Sequence, residues 1–203
     1  AIAARYPEAP ALVHESGTLG YRELDQRANR LAHQFRSLGV GPDVIVALRM
    51  PRCVELVVTL LAVYKAGGGC LLLEASAPLM RVRRVLEQVH PMILIGPGGT
   101  TSPGDLPCRW LDIASLERDA AVQPEHAPEV GQSPEHVAMV FMTSGSTGTP
   151  KAVVAPYGLY VPSPPVAVSS ERYVLKTDSG TTFTRGEIFR PLQSGQCLHI
   201  APA

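Results

Sequence analysis

The sequence predicts an α/β fold, a mostly parallel sheet with flanking helices. Two observations carry the prediction. Between Tyr21 and Ile95 stretches of helical periodicity alternate with short runs rich in Val, Ile and Leu. Those short runs are apolar throughout instead of alternating with polar residues, as strands buried on both faces are.

The first helix is read from Tyr21, Leu24, Ala28, Leu31, Ala32, Phe35 and Leu38, which recur at helical spacing, with Arg22, Asp25, Gln26 and Arg36 on the other face. Gly39 and Gly41 stop it. Val44–Leu48 is a buried strand, Val54–Lys65 an almost wholly apolar helix closed by Gly67, Gly68 and Gly69, and Cys70–Leu73 the next buried strand. Met80–Val89 forms a basic amphipathic helix and Met92–Ile95 a third strand. Strands alternating with helices of this length imply βαβ units. Beyond them the texture changes. Gly96–Gly104 is a loop, Cys108–Ile113 a short strand, and Gln123–Glu135, with three prolines, a linker or surface arm. Cys197–Ile200 is a last strand. No internal repeat is visible, and residues 1–203 are taken as one domain or subdomain.

Composition narrows the function. The 203 residues are 45% hydrophobic, ordinary for a globular protein with a core, and 18 basic residues balance 18 acidic ones. That balance argues against a nucleic-acid partner, and no apolar run reaches the roughly 18 residues of a membrane span. The N-terminus lacks a signal peptide's apolar core and an initiator methionine, which implies an excised or processed piece. Cys53, Cys70, Cys108 and Cys197 are scattered without a C-x-x-C pair, so no metal site is expected. Cys53 and Cys70 read as small core residues, and reduced thiols fit a cytoplasmic setting. His33, His90 and His136 read as structural or solvated.

The most informative stretch is Met142–Lys151. Its loop joins two β-rich runs, Val137–Met142 and Ala152–Ala155, and packs hydroxyls, two glycines and a terminal lysine into one turn. Glycines let a backbone approach a ligand closely. Successive N–H groups make an anion-binding concavity. Ser and Thr hydroxyls add donors, and a lysine adds a mobile point charge suited to phosphate. The expected ligand is a nucleotide polyphosphate. The loop is not a P-loop, because its lysine follows a proline and leads into a strand. It is expected to be exposed between its strands, and a Ser/Gly-rich linker is the plain alternative.

Thr143-Ser-Gly-Ser-Thr-Gly-Thr-Pro-Lys151 resembles the phosphate-loop signature of acyl-adenylate-forming enzymes, above all the adenylation domains of nonribosomal peptide synthetases. Leu19–Leu24 with Arg27–Ala32, Leu60–Gly68 and Arg190–Gly195 resemble other stretches of that family in the right order. The resemblance implies activation of a carboxylic acid by ATP, with Mg, and transfer of the acyl group to a carrier-protein thiol. It implies that Thr143, Ser144, Ser146, Thr147 and Lys151 hold the β- and γ-phosphates while Gly145 and Gly148 let the backbone close in. Condensation and carrier-protein domains of the same synthetase are the implied partners.

The departures from the family pattern matter as much. A complete adenylation domain is more than twice this length. The C-terminal half, with its magnesium-binding acid, ribose aspartate and lid lysine, would lie beyond Ala203, so residues 1–203 are expected to be a truncated, N-terminal part with no catalytic residue of its own. Ala152 stands where the family has glycine, and Tyr157 where it has histidine; Pro162, Pro164 and Pro165 shorten the helix expected next. Lys176-Thr177 and Glu187-Ile-Phe189 match at the right separation, but Thr182 stands where an aspartate pairs with an amino acid's α-ammonium. An unpaired buried ammonium costs several kcal/mol. Thr182 therefore implies either a substrate without an α-amino group, such as a hydroxy, keto or aryl acid, or a domain that has decayed. The pattern favours a degenerate adenylation domain, or a structural platform inside a synthetase.

Overall fold

A computed structural model describes residues 2–143, 151–160, 173–177 and 182–202, with backbone alone for Tyr160 and residues 182–185. The chain begins with a short helix, α1 (Ile2–Arg5), and an antiparallel hairpin, β1 (Pro10–His14) and β2 (Gly17–Gly20). Then come α2 (Tyr21–Ser37), β3 (Ile45–Leu48), α3 (Val54–Lys65), β4 (Gly69–Leu72), α4 (Leu79–Val89), β5 (Ile93–Gly96), β6 (Arg109–Asp112) and α5 (Ile113–Ala120). The last elements are β7 (Val137–Thr143), β8 (Lys151–Pro156), a 3-10 turn at Tyr157–Tyr160, β9 (Tyr173–Leu175), α6 (Thr182–Gln193) and β10 (Leu198–Ile200).

The predicted helices and strands from Tyr21 to Ile95 form within a residue or so of their expected bounds. Beyond α1, the β1–β2 hairpin, β9 and α6, which the sequence reading does not give, two features differ from it. The strands divide into two sheets, and α5 is an additional helix. The larger sheet runs β6-β5-β3-β4-β7-β8; all its pairings are parallel except that between β7 and β8. The smaller runs β2-β1-β10-β9, so the expected last strand pairs with β1, Leu12 opposite Leu198, and not with the βαβ strands.

Both faces of the larger sheet are covered, and the period of two along each strand sorts its residues. Val46 and Leu48, Cys70 and Leu72, Ile93 and Ile95, and Met139 face the core that includes Leu31, Phe35, Leu56 and Leu60 of α2 and α3. Their neighbours Ala47, Leu71, Leu94 and Val140 face Val82, Val85 and Leu86 of α4. This is why the strands read as unbroken apolar runs.

Two helices, α3 and α5, start with a side-chain cap. The Cys53 sulfur accepts from the Leu56 N–H, 3.4 Å, at the start of α3, and Asp112 accepts from the Ser115 N–H, 3.1 Å, at the start of α5. The three glycines after α3 have steric reasons. Gly67 has φ +88°, and a Cβ on Gly68 would lie 2.6 Å from Val40 Cγ1. The Gln123–Glu135 arm lies along α2: Asn29 donates to the Glu125 carbonyl, 2.5 Å, Arg30 pairs with the Glu125 carboxylate, and His33 Nε2 donates to the His126 carbonyl, 3.0 Å. His33 thus has a structural role, and His90, at φ 51°, caps the end of α4. The four cysteines are free, with Cys70 buried. Among the described residues no helix is long and apolar enough to cross a membrane, and no cluster of His, Cys, Asp and Glu suits a metal ion.

Buried tyrosines give the fold a pH signature. The Tyr21 hydroxyl donates to the Gln196 carbonyl, 2.7 Å, and Tyr157 donates to the Gly68 carbonyl, 2.7 Å. Burial pushes both phenols well above their ordinary range. Above pH ~10 the unfolded chain releases these protons while the native chain keeps them, so stability falls by about 1.4 kcal/mol per pH unit for each tyrosine. Burial also pushes the Cys53 thiol up to about 12, which adds the same trend from a lower pH. Urea midpoints measured from pH 8 to 11 should fall steadily, and a Tyr21→Phe, Tyr157→Phe double variant should flatten the upper part of that fall.

Candidate functional site

In open parallel sheets ligands bind beyond the carboxyl ends of the strands, beside the point where strand order reverses. Here that place is the end of β4 and β7. The chain starts at β3, moves to β4 on one side, and returns to β5 on the other. β7 then pairs with β4, Leu71 opposite Val140, and the hydroxyl-rich loop leaves the end of β7. A shallow cleft beside it is lined by Leu73, Glu74, Ala77, Arg81 and Met142.

Thr143 and Lys151 are the last opposed pair of the β7–β8 hairpin, and both are exposed. The expected strand–loop–strand arrangement is therefore present, with the strands antiparallel. The Thr143 hydroxyl donates to the Lys151 carbonyl, 3.3 Å, closing the base of the loop. Its single proton is thereby committed to the hairpin in this structure. Lys151 makes no ion pair with a described residue. An exposed lysine at the mouth of a loop, with no ion pair to a described residue, fits an anion such as a nucleotide's phosphates. Ser144, Gly145, Ser146, Thr147 and Gly148 lie outside the described residues.

Tyr157 follows the hairpin. Its ring meets Tyr64 of α3 edge-on at 5.3 Å, and Tyr64 meets Phe189 of α6 edge-on at 5.0 Å. With its hydroxyl on the Gly68 carbonyl, Tyr157 is a structural strut between the larger sheet and α3. The chain of rings joins the strand after the loop to the helix that begins at Thr182. Thr182 is described by its backbone alone. The segment with Pro162, Pro164 and Pro165 falls outside the described residues.

In the sequence Glu187 is a motif match without a role. The structure supplies one: its carboxylate gathers the Lys176 N–H, the Thr177 N–H and the Thr177 hydroxyl at 3.1, 3.1 and 2.6 Å, joining the end of β9 to α6. The signal was the match of Lys176-Thr177 and Glu187-Ile-Phe189 at the family's separation.

Known proteins resemble this chain over its whole length. The family model described as AMP-binding enzyme matches residues 1–203. Chondramide synthase cmdD of Chondromyces crocatus is 33% identical over 98% of this chain, which spans 5% of that protein. The N-terminal subdomain of Klebsiella oxytoca NpsA, solved in complex with 3-hydroxybenzoyl-AMSN, is 29% identical, with a TM-score of 0.86 over 99% of this chain and 52% of that one. An artificially fused adenylation–PCP di-domain nonribosomal peptide synthetase, NpsA-ThdA from the same organism, gives a TM-score of 0.87 at 29% identity, covering 99% of this chain and 41% of that one. The chain thus spans about half the length of the solved subdomain and a small part of the curated relative. With the βαβ frame, the placement of the loop and a family match over its whole length, this chain belongs to the AMP-binding enzyme family.

Proposed function

We propose that the chain is the N-terminal part of a nonribosomal peptide synthetase adenylation domain that binds the phosphates of ATP but is degenerate for amino-acid activation. The observation that carries the first half is the exposed Lys151, without an ion pair to any described residue, at the mouth of the Thr143–Lys151 loop. ATP would be held there by Lys151 and by the hydroxyls and backbone amides of the loop, with Mg offsetting charge. Bound, the nucleotide supplies an electrophilic phosphorus for a carboxylate. The second half rests on Thr182, which offers no charge to an α-ammonium. In its parent the domain would work in the cytoplasm beside condensation and carrier-protein domains. Val153 and Val154 of β8 and Val174 of β9 are exposed apolar side chains on the edge strands of the two sheets.

A second reading has one observation in its favour. The N-terminal subdomain of NpsA, similar over 99% of this chain, is solved in complex with 3-hydroxybenzoyl-AMSN, whose acyl group carries no α-amino group. A site that activates an acid without an α-amino group has no use for the missing aspartate.

The test is calorimetric titration with ATP and magnesium, alone and with added acids. Binding of ATP, with no gain from any α-amino acid, is expected. A gain from an α-amino acid contradicts the degenerate reading, and a gain from an aryl acid selects the second.

A further inference from the structure

We propose that His136 is an acid-sensitive latch: its neutral imidazole closes the turn that joins the Gln123–Glu135 arm to β7, and protonation opens that turn.

The turn is built reciprocally. The Ser133 N–H donates to Nδ1 of His136, 3.0 Å, and the His136 N–H donates back to the Ser133 carbonyl, 3.1 Å. A neutral imidazole has one ring nitrogen that accepts and one that donates, whereas an imidazolium has two donors and no acceptor. The first of these bonds therefore exists only while Nδ1 carries no proton. Protonation sets two N–H groups against each other and leaves the amide of the half-buried Ser133 without its acceptor.

The other histidine contacts of the arm have the opposite polarity. His33 Nε2 donates to the His126 carbonyl, 3.0 Å, and His126 Nδ1 donates to the Ala127 carbonyl, 3.3 Å. Both bonds survive protonation, because the ring nitrogen already gives the proton. Glu125 meanwhile fastens the arm to Gln26, Asn29 and Arg30 of α2. Acid thus loosens the end of the arm at β7 and leaves the end on α2 in place.

That loosened end sits on the base of the β7–β8 hairpin. The His136 carbonyl accepts from the Tyr157 N–H, 2.9 Å, and the Pro134 carbonyl from the Gly158 N–H, 2.7 Å. Three titratable groups lie beside the turn. Glu135 accepts from the Ser133 hydroxyl, Asp43 accepts the Val137 N–H at 2.9 Å, and Tyr157 is kept neutral by burial. Either carboxylate favours an imidazolium that has turned away from Ser133. Histidine changes charge between about pH 5 and 8, so the latch is closed at the upper end of that range and lost towards the lower end.

The test follows amide hydrogen exchange by NMR in the full chain at about pH 7.5 and about pH 5.5, as protection factors, which remove the intrinsic effect of pH on exchange. Wild type is compared with His136→Asn and His136→Ala. Asparagine offers an oxygen where the ring offers Nδ1 and does not titrate, so it is the rescuing variant. In wild type the protection of the Ser133 amide should fall about two- to tenfold from the higher pH to the lower, the scale of one net hydrogen bond. The amides of β7 should keep theirs. His136→Asn should hold Ser133 protected at both pH values, and His136→Ala should leave it weakly protected at both. Equal protection of Ser133 at the two pH values in wild type overturns the proposal. So does a fall in His136→Asn as large as that in wild type, and this comparison stands even if His136→Ala does not fold.

Discussion

Lys151→Ala is expected to weaken ATP binding by about 10- to 100-fold, the effect of losing a charged hydrogen bond of about 1.5–3 kcal/mol. The lysine is exposed at the first position of β8, and its backbone is already held by pairing with Thr143. Removing the side chain therefore leaves the hairpin register alone. Unfolding midpoints should match wild type within error while titration with ATP and magnesium loses affinity. Raised salt should narrow the difference, because the contact is between an exposed ammonium and an anion. ATP affinity equal to wild type would remove Lys151 from the site.

Phe35→Ala is expected to have the largest effect on stability, about 3–5 kcal/mol. Phe35 is fully buried in α2, in the core that joins that helix to α3 and to one face of the larger sheet. That core draws on elements of both sheets, so the cavity cannot close by moving one helix. Against a total stability of about 5–15 kcal/mol, such a loss leaves a chain close to unfolding at 37 °C. Urea denaturation gives the value directly, and a loss below about 1 kcal/mol would contradict the central place of Phe35 in the core.

The parts of the fold legible in the sequence were those with a strong period. α2 shows one apolar stripe, and β3, β4 and β5 are unbroken apolar runs because α2 and α3 cover one face and α4 the other. The hairpin of β1 and β2 was not legible. Gly17–Gly20 has no alternation to read, and the partner that completes its sheet, β10, lies at the other end of the chain. Local pattern carries no information about a pairing as distant as Leu12 with Leu198. α5 had a readable start, since Asp112 with Ser115 is a capping pattern and Ile113, Leu116 and Ala120 share a face. Its single short apolar stripe hid behind the prolines that follow. At the site, the strand–loop–strand frame was legible because a run of glycines and hydroxyls between two apolar stretches reads as a loop joining strands. In the sequence Tyr157 reads only as a replaced histidine. Its contacts with Gly68 and Tyr64 show a side chain built into the packing, which no local motif discloses.

The proposal that this family member keeps a nucleotide loop but has lost amino-acid recognition is tested most directly by ATP–pyrophosphate exchange with each proteinogenic amino acid. Exchange reads formation of the aminoacyl adenylate itself and needs a partner for the α-ammonium, which Thr182 does not offer. Exchange at background is expected for every amino acid, with ATP still bound in the parallel titration. Exchange above background with any of them would contradict the loss of amino-acid recognition.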